Sequence, residues 1–84
     1  MDEYDLYVGI PIEDRHRFES EVMNVVANNH AEAKDAEVMD GYWAGVNEVT
    51  LHFVVRDSPD QLNETIFALQ GISNKIFIAC IEIE

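Results

Sequence analysis

Only four residues, Gly45-Val46-Asn47-Glu48, separate two stretches that read as strands. A link that short joins antiparallel neighbours, because a parallel crossover needs roughly a dozen residues or more. The second stretch is the clearer: Val49, Leu51, Phe53 and Val55 alternate with Thr50, His52, Val54 and Arg56. That is the period of a strand with one buried face. The first stretch, Val38 to Ala44, offers two registers. One turns Met39, Gly41 and Trp43 inward. The other turns Val38, Asp40 and Tyr42 inward and buries a carboxylate at substantial cost. The first is preferred, unless a bulge at Gly41 resets the count.

The hairpin is flanked on each side by a helix and then a strand. Tyr4 to Ile10 alternates, with Tyr4, Leu6, Val8 and Ile10 on one side, and Pro11 ends the ladder because it has no N–H to give. From about Glu13 to Asn29 the apolar period becomes helical, through Phe18, Val22, Val25 and Val26. Glu13, Arg17 and Glu21 lie four apart on the other side, spaced for weak ion pairs. After a polar, alanine-rich stretch from His30 to Glu37 comes the hairpin, and then a strong helix start at Ser58-Pro59-Asp60-Gln61. Ser58 fits the N-cap, Pro59 the first helical position and Gln61 the reciprocal partner of a capping box. Leu62, Ile66 and Leu69 form the inward stripe, with Phe67 and Ala68 beside it, and Gly71 stands where a left-handed C-cap belongs. Ile76 to Ile83 is the last strand.

The order β-α-β-β-α-β, with right-handed crossovers, puts both helices on one side of the sheet. It resembles the ferredoxin-like split βαβ arrangement, an α+β sandwich with a four-stranded antiparallel sheet in the order 4-1-3-2. The 84 residues suit a single domain spanning 1–84.

This topology leaves one sheet face with no helix to cover it. Reading the last strand with Ala79 and Ile81 toward the helices, the open face carries Ile76, Ile78 and Cys80, then Tyr7, then His52 and Val54, then Tyr42. A contiguous apolar patch of this kind marks an interface. Two other arrangements compete: a shifted last strand with Ile76 in a turn, or residues 30–37 folded back over the face.

The chain has 17 acidic and 5 basic residues, a formal net charge of −12. Such an excess disfavours direct contact with nucleic acid or an anionic membrane and favours a basic protein partner. Simple solubility is the competing explanation. The acids expected to steer a partner are Glu13, Asp14, Glu32, Asp35, Glu37, Asp40, Asp57 and Asp60, and the anchors are Tyr7, Tyr42, His52, Val54, Ile76 and Ile78. The acidic start lacks a signal peptide's pattern, and a single cysteine, Cys80, allows no internal disulfide, so a cytoplasmic setting is expected.

Catalytic signatures are missing. "GYWAG" belongs to the hairpin, not to a phosphate loop. His16, His30, His52 and Cys80 lack zinc spacing. His52 and Cys80, with a strand between them, would stand roughly 9–10 Å apart, too far for direct proton transfer. The expectation is a non-enzymatic protein with no cofactor or metal. It would be an inhibitor, immunity or antitoxin-like modulator whose carboxylates imitate or block nucleic acid on a basic target. A phage-encoded blocker of a bacterial defence protein or a toxin's neutraliser fits this description. The alternative is a homodimeric regulatory or ligand-sensing module packed through the open face.

Overall fold

A computed structural model of the protein describes residues 2–30, 36–43 and 46–83, with the side chains of 40–43, 46 and 47 outside the description. Its elements are β1 (Asp2–Pro11), a 3-10 turn (Ile12–Asp14), α1 (Arg15–Asn29), β2 (Glu37–Trp43), β3 (Val46–Asp57), α2 (Pro59–Gln70) and β4 (Phe77–Ile83). The four strands form one sheet in the order β2-β3-β1-β4, every neighbouring pair antiparallel. This is the expected ferredoxin-like topology.

The core lies between the helices and one sheet face. Leu6, Val8 and Ile10 of β1 and Val49, Leu51, Phe53 and Val55 of β3 meet Phe18, Val22 and Val26 of α1 and Leu69 of α2. Central strands need apolar side chains on the covered face, and β1 and β3 supply them at strict period two.

The helix ends depart from expectation in three places. Ser58 Oγ accepts from the Gln61 N–H at 3.2 Å, the N-cap that the sequence implies. The Gln61 side chain does not return to Ser58; it donates to the Asn29 backbone oxygen and Oδ1 at 3.3 and 3.1 Å, joining the two helices. The Ser58 N–H is taken by Asp57 Oδ1 at 2.8 Å instead. Gly71 is right-handed, with φ −71° and ψ −17°, because the chain closes with ordinary helical-type bonds from Gly71 and Ile72 to Phe67 and Leu69. In α1 the ion pair is Arg15–Glu19 at 2.7 Å; the Arg17 guanidinium lies over the Phe18 ring, 5.1 Å from its centre.

Two strand registers also differ from the sequence reading. In β4, Cys80 is opposite Leu6 and Ile78 opposite Val8, whereas Ala79 is opposite Tyr7 and Ile81 opposite Asp5. Directly paired residues share a face. Ile78 and Cys80 therefore point toward the helices and pack against the core, and Ile76 just before the strand is buried in it. Ala79 and Ile81 turn to the open side. In β2, Met39 is opposite Thr50 and Val38 opposite the buried Leu51, the reverse of the preferred register. The pairing continues to Trp43 opposite Val46, so Val46, Asn47 and Glu48 belong to the strand rather than to the turn.

α2 buries Leu62, Thr65 and Leu69, while Phe67 is 80% exposed. The stripe thus runs through a threonine that the apolar pattern skips.

Candidate functional site on the open sheet face

Across the open face, β1 contributes Glu3, Asp5, Tyr7 and Gly9, and β3 contributes Arg56, Val54, His52 and Thr50 opposite them. β4 adds Phe77, Ala79, Ile81 and Ile83, and β2 adds Glu37 and Met39. At the strand end, Glu48 folds back over Gly9. A Cβ at Gly9 would stand 2.6 Å from the Glu48 carboxylate, so this close approach uses the missing side chain.

Tyr7 and His52 form the centre of the face. They are direct cross-strand partners, and their rings stack with centroids 4.6 Å apart and planes inclined by 11°. His52 Nε2 lies 2.7 Å from Asp5 Oδ1, and its Nδ1 lies 3.4 Å from Glu37 Oε2. The imidazole thus joins carboxylates from β1 and β2 across β3. The Asp5 hydrogen bond holds the His52 pKa above the ordinary histidine value; partial burial works against it, and Glu37 adds to the upward push.

Beside this polar centre runs an apolar margin. Ile81 is 58% exposed, Phe77 42% and Ile83 37%. These residues stand on an edge strand whose only charged group between 77 and 83 is Glu82. Among the described residues, then, the open face holds four carboxylates (Glu3, Asp5, Glu37 and Glu48) against one guanidinium, Arg56, next to aliphatic and aromatic surface.

Of the residues singled out in the sequence, Tyr7, His52, Val54 and Glu37 come together here. Ile76 and Ile78 do not; they belong to the helix side, which removes them from the exposed anchor set. The steering acids are dispersed. Glu13 and Asp14 follow the Pro11 end of β1, whereas Asp57 and Asp60 lie by the Asp2 end, since Asp2 pairs with Asp57 and Pro11 with Glu48. Asp14 stands 3.6 Å from Lys75 Nζ. Glu32 and Asp35 lie outside the described residues, as do the side chains of Asp40, Tyr42 and Trp43. Sequence reasoning passed over Asp5, whose signal was its place in β1 beside Tyr7 on the polar side of the alternation.

His52 and Cys80 lie on opposite faces, which separates them more firmly than an intervening strand. Burial, and secondarily Asp5, push the Cys80 thiol above its ordinary value, so its reactive thiolate form is disfavoured.

A second polar cluster lies under the helices. His30 is 2% exposed; its Nδ1 is 3.0 Å from Asp57 Oδ2 and its Nε2 2.6 Å from Thr65 Oγ1. Thr65 Oγ1 also lies 3.2 Å from the Gln61 carbonyl oxygen. The sequence of hydroxyl, imidazole and carboxylate has the order of a hydrolytic triad. Thr65 is fully buried, however, and no substrate atom could reach its oxygen. The cluster is a buried brace that fastens the end of α1 to the end of β3 and to α2. The Ser58 N–H, and then His30, hold the Asp57 carboxyl below the ordinary carboxylate value. Among the described residues no group of histidine, cysteine and carboxylate side chains is arranged to hold a metal ion, and no helix is long and apolar enough to cross a membrane.

No protein-family model matches this sequence, and no curated protein matches it. Solved structures resemble it in fold. The uncharacterized protein TM1266 from Thermotoga maritima superposes with a TM-score of 0.67 at 17% identity, over 98% of this chain and 96% of that one. The C-terminal domain of the MgtC protein from Mycobacterium tuberculosis gives 0.65 at 12% identity, over 100% and 89% of the two chains. CutA1 from Oryza sativa gives 0.59 at 14% identity, over 100% and 82%. At these identities the likeness is one of fold alone: the chain is a ferredoxin-like domain.

Proposed function

We propose that this is a small acidic protein-binding modulator, of the inhibitor, immunity or antitoxin kind, that docks its open sheet face on a basic surface of a target protein. The observation that supports this reading is the composition of that face. Tyr7, Val54, Ala79, Ile81 and Ile83 share the face with the carboxylates Glu3, Asp5, Glu37 and Glu48, Asp5 lying between Val54 and Ile81 and Glu3 beside Ile83. Fully burying a side chain such as Ile81 contributes ~1.5–3 kcal/mol, so a few such anchors offset the ordering cost of association. The carboxylates add steering and specificity toward lysine- and arginine-rich surfaces, including those that bind nucleic acid. On this reading the protein is not an enzyme.

A homodimer through the same face is the second reading, favoured by the exposed apolar side of β4. It meets an electrostatic obstacle. Two copies face to face bring together like net charge, on chains that each carry −12. A basic partner meets none. Sedimentation at micromolar concentration separates the two readings: a monomer that Ile81→Ser leaves unchanged favours the basic partner, and a dimer that Ile81→Ser dissociates favours self-association. Affinity capture from cell extract then tests the first reading. Proteins of high isoelectric point retained at low salt should be released at high salt and lost with Asp5→Asn combined with Ile81→Ser. Retention unaffected by those substitutions contradicts it.

A further inference from the structure

Both ring nitrogens of His52 face carboxylate oxygens, Nε2 toward Asp5 and Nδ1 toward Glu37. A carboxylate only accepts. A neutral imidazole has a single N–H and can satisfy only one of them, whereas the imidazolium has two and can satisfy both. The arrangement is therefore complete only with the proton on. We propose that His52 is a proton-operated clasp on the docking face: its imidazolium ties Asp5 of β1 to Glu37 at the start of β2, and loss of the proton releases Glu37 and leaves the face one charge more negative.

The geometry says which contact opens. Asp5 is the closer partner at 2.7 Å, with a side chain 27% exposed; Glu37 is at 3.4 Å and 70% exposed. The remaining N–H stays with Asp5 and Glu37 swings free. Other described charged groups on the face are further along the strands: Glu3 and Arg56 toward one end, Glu48 toward the other. Tyr7 covers one face of the ring, where a phenol favours a cation over a neutral imidazole. The upward displacement of His52 agrees with this charge balance.

The functional consequence rests on the docking reading above. A face that gains a negative charge and a free carboxylate holds a cationic partner more tightly, so binding strengthens as pH rises through the His52 transition. Acidification closes the clasp and weakens it.

The clasp itself is tested on the free protein by NMR titration of the imidazole resonances. His52 should titrate above the ordinary histidine value, and the backbone amides of Glu37 and Val38 should move with the same midpoint. Asp5→Asn should lower that midpoint strongly and Glu37→Gln more weakly. A His52 midpoint at or below the ordinary histidine value, one indifferent to both substitutions, or amides of Glu37 and Val38 that do not follow it, overturns the clasp. A decalysine peptide then probes the consequence at about pH 6 and about pH 8. Several-fold tighter binding at the higher pH, mapped to open-face amides and levelled by His52→Gln, supports both parts. A normal titration with pH-independent peptide binding retains the clasp and overturns the docking consequence, so the two failures are distinct.

Discussion

Tyr7 and His52 lie face to face on the open side of the sheet, their ring centroids 4.6 Å apart and their planes 11° from parallel. The stack spans the central strand pair and fixes the imidazole where it meets Asp5 and Glu37. Along the strands it stands between Asp5, Val54 and Ile81 on one side and Gly9, Thr50 and Phe77 on the other. On the docking reading proposed above, a partner offers both cationic and apolar groups.

The His52 cluster should make stability depend on pH. Its folded pKa is raised, so its contribution is fully present below the ordinary histidine value and is lost as pH rises through the folded value. Urea-unfolding midpoints of the wild type and His52→Gln should therefore differ most at mildly acidic pH and converge in the alkaline range. A gap that widens with rising pH has the wrong sign for this account.

The register of β4 is testable by substitution. Ile78 packs against the core, so Ile78→Ala should cost about 1–2 kcal/mol, less than a fully buried isoleucine because the site is on an edge strand. Ile81 is 58% exposed on the other face, and Ile81→Ala should stay within about 0.5 kcal/mol of the wild type. Equilibrium denaturation that ranks them in the opposite order contradicts the register.

Under the helices, Thr65→Val keeps the shape of the side chain but takes the hydroxyl from His30 and leaves a buried ring nitrogen without a partner. The expected loss is about 1–3 kcal/mol in unfolding free energy. Thr65→Ser retains the hydroxyl and loses one methyl group, at a cost of about 1 kcal/mol. Only the valine variant should shift the His30 imidazole resonances to those of a ring with one partner removed.

Asp57 predicts the acid limb of the stability profile. Its folded pKa is lowered, so its contribution is present above the ordinary carboxylate value and disappears as pH falls through the folded one. Asp57→Asn should destabilise the protein near neutral pH and flatten the decline in melting temperature as pH falls below the ordinary carboxylate value. An unaltered acid limb would show that other carboxylates govern it.

The topology and the faces of β1 and β3 are legible in the sequence because polar and apolar residues alternate there. β4 is not, because Phe77, Ala79, Ile81 and Ile83 on one side match Ile78 and Cys80 on the other, and alternation carries no polarity. The one polar clue points the wrong way. Glu82 shares the helix-side register, opposite Tyr4, yet is exposed at the strand's end. In β2, the penalty for burying a carboxylate chose the register, but that penalty fades on an edge strand: Val38 is 47% exposed although it is opposite buried Leu51. The His30–Asp57–Thr65 brace joins positions distant in sequence, and its one local signal is the threonine within the apolar stripe of α2. Likewise, only the pairing of β1 with β3 brings Asp5 to His52.

We propose above that the open face docks on a basic partner. The most direct test of this docking is affinity capture with the wild type and with a Val54→Ser, Ile81→Ser double variant, at about 50 mM and about 300 mM salt. The wild type should retain a basic protein at low salt and release it at high salt, while the double variant, equally folded, should retain none. Equal retention by both proteins, or retention indifferent to salt, would contradict the proposal.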